Sequence, residues 1–215
     1  MSLIPTQYVG NKSYFGVEIE VENICPKIMF MEQTPLPPGW FTHSDGSLRN
    51  GIEYVSDPLC VSDLFLALAG LSNWFNTALI LSPSFSWRTS NHVHLNVRDI
   101  TWNDLYKLMI LYVVFEEQLF NFANILRTDS IFCVPLTKGT LCSNISNFIR
   151  NETTIFLCKE YEWNKYAALS TSRLFDLGTL EFRQFPGSLD LPKFSKWILF
   201  ILAIKTAAIT LTTQE

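Results

Sequence analysis

The chain has 215 residues, 48% of them apolar and 17% charged, with a formal net charge of −4. That is core material for a single domain able to bury roughly 70% of the surface its unfolded form exposes, and it carries no compositional sign of disorder. The lack of a Lys/Arg cluster along any element points away from a nucleic-acid surface, and the slight acidic excess suits a site that holds cations. Five cysteines (Cys25, Cys60, Cys133, Cys142, Cys158) are an odd number without a C-x-x-C pair. They argue against a disulfide framework or a structural zinc site and for reduced thiols in a cytoplasmic compartment, or host cytoplasm for a viral chain. Met1–Asn11 lacks a basic stretch followed by an apolar run, so no secretory signal is expected.

In chain order, a first strand is predicted over Tyr14–Asn23. The proline-rich run from Thr34 to Gly39 is a connection, and Asp45-Gly46-Ser47 is a turn leading into a second strand, Gly51–Ser56. Ser62 can cap a helix reaching about Asn76, with Leu64, Phe65, Leu68 and Leu71 on one face. A third strand spans His92–Val97. Thr101 and Asp104 form a capping-box pattern that opens a long helix to about Arg127. Asp129–Glu162 reads as a long excursion with one short helix. Two strands follow, Tyr166–Thr171 and Thr179–Phe185, and Ser195 can begin a C-terminal helix. Trp197–Leu211 is almost wholly apolar, but Lys205 leaves an uncharged run about half the ~20 residues a membrane span needs, so a buried helix is expected. The pattern predicts an α+β domain, a mostly antiparallel sheet with helices packed on one face.

Three of the strands carry polar pairs at the strand period. Glu18 and Glu20 alternate with Val17, Ile19 and Val21. His92 and His94 flank Val93. Glu181 and Arg183 alternate with Leu180 and Phe182. Each strand thus has one apolar side for the helices and one ionisable side. In the second strand, Ile52 and Tyr54 face the helices while Glu53 and Val55 face the other way. If the faces align in one sheet, the ionisable side forms a cup of carboxylates, imidazoles and a guanidinium. Each pair alone also fits a solvent-facing stripe. Two of only three histidines standing on one strand face, matched with glutamates, favour a cation site instead.

Carboxylate and imidazole donors without cysteine suit Mg²⁺ or Mn²⁺ before Zn²⁺. An arginine beside a glutamate suits phosphate. That combination serves phosphoryl transfer, which depends on positioning and charge neutralisation. No G-x-x-x-x-G-K-[ST] loop, G-x-S-x-G elbow or H-E-x-x-H helix is present.

The order of motifs resembles an amidoligase family found in phages, bacteria and fungi, among the carboxylate–amine ligases related to glutamine synthetase. The motifs are Phe15–Glu20 (FGVEIE), Asp45–Leu48 (DGSL) with Gly51–Leu59 (GIEYVSDPL), Ser90–His94 (SNHVH), Lys165–Leu169 (KYAAL) and Gly178–Arg183 (GTLEFR). The resemblance runs from about Tyr14 to about Trp197. It implies a single catalytic domain over residues 1–215, built as a glutamine synthetase-like half-barrel. The implied activity is an ATP- and Mg²⁺- (or Mn²⁺-) dependent joining of a small-molecule or peptide carboxylate to an amine through an acyl phosphate, with no nucleic-acid or membrane partner. Carried over by motif, Glu18, Glu20, Glu53, His92 and Glu181 would be metal ligands. His94 would lie near the nucleotide and Arg183 would hold the transferred phosphoryl. Glu53, Asp45 or a loop carboxylate would accept the amine's proton.

Arg127, Arg150, Lys159, Lys165 and Arg173 are available for phosphates or a substrate carboxylate. Each singly reads as an ordinary surface charge, with Lys165 and Arg173 favoured because they flank a motif strand. Two other readings stay open: a non-catalytic structural or interaction protein of viral type that keeps the fold, and a metal-dependent hydrolase using the same face to activate water.

Overall fold

The computed structural model describes residues 14–23, 35–78, 83–138 and 166–211. Among these the elements are β1 (Phe15–Val21), β2 (Trp40–His43), β3 (Ile52–Ser56), α1 (Val61–Ala78), β4 (Asn91–Asn96), α2 (Trp102–Ala123), β5 (Leu169–Ser170), β6 (Thr179–Phe182) and α3 (Leu191–Thr210). The six strands form one sheet in the order β2-β3-β1-β4-β6-β5, every neighbouring pair antiparallel. The sheet is open, with β2 and β5 at its edges.

The alternation read from the sequence decides which side is packed. Val17, Ile19, Val93, Leu95, Leu180 and Phe182 are fully buried in one apolar cluster that also takes in residues of all three helices. Tyr54 of β3 joins it edge-on to Phe75 of α1, with ring centroids 4.8 Å apart at 78°, a favourable aromatic geometry. Among the described residues all three helices therefore cover one face and leave the ionisable face to the site.

Some boundaries differ from expectation. β2 was not expected; only its Trp40 is buried, so four residues give no alternation to detect. The strand expected over Tyr166–Thr171 pairs as a ladder only at Leu169–Ser170. Ser62 lies inside α1, which starts at Val61, and Phe65 is 61% exposed because the buried stripe runs through Leu64, Leu68, Leu71 and Phe75. Thr101 does cap α2, accepting from the Asp104 amide. That helix stops at Ala123, where extended Asn124 caps a separate 3₁₀ turn, Ile125–Asp129. α3 begins at Leu191, not Ser195. Asp190 accepts from the Lys193 amide, and Pro192 fits the first turn, whose N–H groups need no helical partner. Of the excursion after Asp129, a 3₁₀ turn at Leu136–Lys138 is described; the rest, with Lys165, lies outside the described residues.

Among the described residues no helix is long and apolar enough to cross a membrane. Lys205 interrupts the apolar C-terminal run because it is a buried strut. Its Nζ donates to both Asp99 oxygens, at 2.6 and 2.8 Å, and to the Asn96 carbonyl at 2.8 Å. Cys60 and Cys133 are buried free thiols.

Candidate metal and phosphate site

The register brings the polar pairs together. Glu18 stands opposite His92 and Glu20 opposite Glu53 across β1's two neighbours, and His94 stands opposite Glu181. His92 is the hub. Its Nδ1 lies 3.0 Å from Glu18 Oε2 and 3.3 Å from Glu181 Oε1. Its Nε2 lies 3.7 Å from Glu20 Oε1 and 2.6 Å from Ser90 Oγ. His94 Nε2 is 2.9 Å from Glu18 Oε1. Arg183 donates to Glu181. Glu20, His92, His94, Glu181 and Arg183 are all buried.

Glu20 is fixed further by Ser90, whose amide and hydroxyl donate to Oε2 at 2.7 and 2.8 Å. Asp45 holds its own turn, accepting from the Ser47 amide at 2.7 Å. Gly51 closes that turn where only glycine fits, since a Cβ there would sit 2.6 Å from the Val21 carbonyl oxygen.

The charges pull two carboxylates in opposite directions. Burial would raise the Glu18 carboxyl, but the charges and hydrogen bonds of His94 and His92 hold it well below the ordinary range. Burial would likewise lower the His94 imidazole, but Glu18 and then Glu181 raise it. At Glu53 every influence acts upward. Burial, followed by the negative charges of Glu18, Glu20 and Asp45, pushes it up to about 9. Crowded carboxylates of this kind are relieved by a cation.

Three overlapping groups of donors fit one. They are Glu18–Glu53–His92, Glu18–His94–Glu181 and Glu20–Asp45–Glu53, with the donor atoms of each within 4.8 Å of one another. Oxygen donors with one imidazole or none suit a hard divalent ion. All five residues expected as ligands therefore fall in these groups, together with His94 and Asp45.

A cleft of about 360 Å³ opens at one end of the cup, over Gly16, Glu18, His94, Asn96 and Thr179 and against Tyr14, Pro58 and Leu177. Asp45 and Glu53 lie toward the other end of β1.

Arg173 does not join the cup. It sits on the turn between β5 and β6, half exposed and 3.1 Å from Asp176. Arg127, read from sequence as a surface charge, is buried. It donates to the carbonyls of Trp87 and Thr89 at 3.2 Å and of Arg183 at 3.1 Å. Those partners lie tens of residues away, so no local pattern could reveal them. Ser90 was visible only as a motif letter. His43, unassigned from sequence, stands opposite Glu53 in the β2–β3 ladder; recognising β2 would have found it.

An antiparallel sheet covered by the described helices on one side, with a cup of carboxylates, imidazoles and arginine on the other, defines an α+β protein with a candidate cation site. A family model described as "Putative amidoligase enzyme" matches residues 42–205, and the chain belongs to that family. β1 lies before the matched span, yet it is the strand at the centre of the cup. Among curated proteins, none matches the sequence.

Proposed function

We propose that the chain is an ATP- and Mg²⁺- (or Mn²⁺-) dependent carboxylate–amine ligase, acting as a single catalytic domain on a glutamine synthetase-like half-barrel. The γ-phosphoryl of ATP passes to the substrate carboxylate, giving an acyl phosphate and ADP. The amine then attacks the acyl carbon, phosphate leaves, and the amine's proton goes to a base. The supporting observation is the convergence of Glu18, Glu20, His92 and Glu181, from three strands, on one point beside Arg183 in a member of the amidoligase family.

Divalent cations bound by Glu18, Glu20, Glu53, His92 and Glu181 would neutralise the phosphates and the acyl oxygen. Arg183, buried and oriented by Glu181, holds the phosphoryl oxygens in transit. The cleft at Gly16 and His94 takes the nucleotide base, so the phosphate chain points along β1 toward Arg183. Asp45, a loop carboxylate, or Glu53 once a cation has displaced its own proton would accept the amine's proton.

The test is direct. Protein with MgATP or MnATP and a panel of amino acids, peptides and polyamines should release ADP and phosphate when a carboxylate and amine are paired. Absence of nucleotide binding with Mg²⁺ and Mn²⁺ present refutes the reading. Cleavage of amides without ATP replaces it with a hydrolase.

A further inference from the structure

We infer that Arg88 is a binding residue at the Asp45 end of the cup and that the group it grips is the substrate's carboxylate. This rests on the ligase reading and assigns one of its two substrates to a named residue. The guanidinium carbon of Arg88 lies 5.0 Å from the Trp87 ring centroid and 5.2 Å from that of Phe132. The two rings are 5.5 Å apart. Its Nη1 donates to the Ser47 carbonyl at 2.8 Å, across 41 residues of sequence. Ser47 is held by Asp45, which belongs to the Glu20–Asp45–Glu53 donor group. The guanidinium is therefore fixed at the rim of the cup.

Its hydrogen bonds are not complete. Arg88 Nε is buried and has no hydrogen-bond partner among the described residues. A buried N–H without an acceptor is costly, and ligand oxygens supply one. With one amino group tied back, the remaining N–H groups of a planar guanidinium have the shape that pairs with two oxygens of one anion, and Arg88 as a whole is only half-buried.

The surroundings are built to keep that fork in place. Buried Arg127 binds the carbonyls of Trp87 and Thr89, the residues on either side of Arg88. Phe132 presents its ring to Arg88 and its carbonyl, at 3.5 Å, to Arg183 Nε. Arg88 and Arg183 thus flank one residue, Arg183 paired with Glu181 and Arg88 with no carboxylate among the described residues. In the proposed ligase a nucleotide held at the cleft would meet Arg183 with its phosphates, since His94 of the cleft stands opposite Glu181, which orients Arg183. Arg88 is left for the carboxylate that receives the phosphoryl.

Isothermal titration of the full chain loaded with Mn²⁺ and ADP separates the two anion sources. The probes are acetate, succinate and glutarate on one arm and inorganic phosphate on the other. Arg88→Ala should weaken the best-bound carboxylate tenfold or more, and Arg88→Lys severalfold, with Mn²⁺ and ADP affinities unchanged as the sign of intact folding. Unchanged carboxylate binding in Arg88→Ala overturns the assignment, as does wild-type protein that binds no carboxylate. Phosphate and ADP weakening in step with carboxylate makes Arg88 a phosphate residue and also overturns it. Wild-type protein that takes up neither Mn²⁺ nor ADP is a failure of the ligase reading. The carboxylate titration repeated without metal then judges Arg88 on its own.

Discussion

The two ends of the cup solve the same electrostatic problem differently. At the cleft end, Glu18 lies between two imidazoles, 3.0 Å from His92 and 2.9 Å from His94, so the carboxylate's charge is met within the protein. At the Asp45 end three carboxylates gather, Glu20, Asp45 and Glu53, with the His92 ring at their border, 3.7 Å from Glu20. Glu53 responds by holding its proton up to about pH 9. One end is balanced in the free protein, whereas the other reaches balance only with a proton or a cation. In the proposed ligase, a site that releases and rebinds metal-nucleotide each turnover would benefit from that inequality, because the unbalanced end would supply binding free energy.

The largest effect is expected where the ends meet. Glu20 contacts Ser90 and His92 and belongs to the crowded group. Glu20→Gln should lower ligase turnover by roughly three orders of magnitude, as loss of charge stabilisation at a phosphoryl-transfer centre does. Turnover within tenfold of wild type would show that the crowded end is not the catalytic one.

Next in size is a difference of sign between two matched substitutions. In metal-free protein near neutral pH, Glu18→Gln removes the counter-charge of buried His94 and a hydrogen-bond partner of buried His92, and should cost about 1–3 kcal/mol. Glu53→Gln replaces a carboxyl that is already protonated there, and should leave metal-free stability unchanged or raised while weakening Mn²⁺ binding about 10–100-fold. Chemical denaturation with a Mn²⁺ titration measures both. Equal destabilisation by the two variants would abolish the distinction between the ends.

The pH dependence of stability sharpens the same comparison. Glu18's folded pKa is depressed, so its contribution is present above about 4.5 and lost as pH falls through the folded value. His94's is raised, so its contribution is full below about 6.5 and lost as pH rises through the folded value. Glu53's is raised from 4.5 to about 9, so stability declines steadily across that interval as the folded state clings to a proton the unfolded state releases. Metal-free Tm should therefore fall on the acid side through Glu18 and on the alkaline side through His94 and Glu53. Glu53→Gln should flatten the alkaline limb alone. Saturating Mn²⁺ should move the maximum upward in pH, since ligands bind metal in their deprotonated forms. A Tm profile that Glu53→Gln leaves superimposable on wild type would contradict this account.

How much of this was legible in the sequence follows from the range of the interactions involved. Glu18/Glu20, His92/His94 and Glu181/Arg183 revealed their shared faces because a strand's period is two, and the isoleucine, valine or phenylalanine between them had to be packed. The sheet order placing β1 between β3 and β4 was not legible, yet it turns three separate stripes into one cup. Arginines were misjudged for a related reason. Arg127 looked like any charge at the end of a helix, and Arg88 drew no notice, because what buries them comes from loops and strand ends far along the chain. β2 failed to register since its outer three residues are exposed. Local pattern fixes which side of a strand is chemical, and only packing decides which arginine the chemistry can use.

The smallest effect concerns the cleft. Gly16 is on the cup face of β1, directly opposite His94, and a Cβ there would lie 3.6 Å from the His94 Cβ, an ordinary contact. Gly16→Ala should therefore fold normally and reach the metal groups unaltered, while narrowing the cleft by one methyl. If that end receives the nucleotide base, the KM for ATP should rise severalfold, about the 10–200-fold ceiling for a methylene-sized misfit or less, with Mn²⁺ affinity and carboxylate binding at the Asp45 end unchanged. The larger Gly16→Leu should raise KM further at nearly constant Tm. Were carboxylate binding to weaken instead and ATP remain untouched, the assignment of the two ends would have to be exchanged.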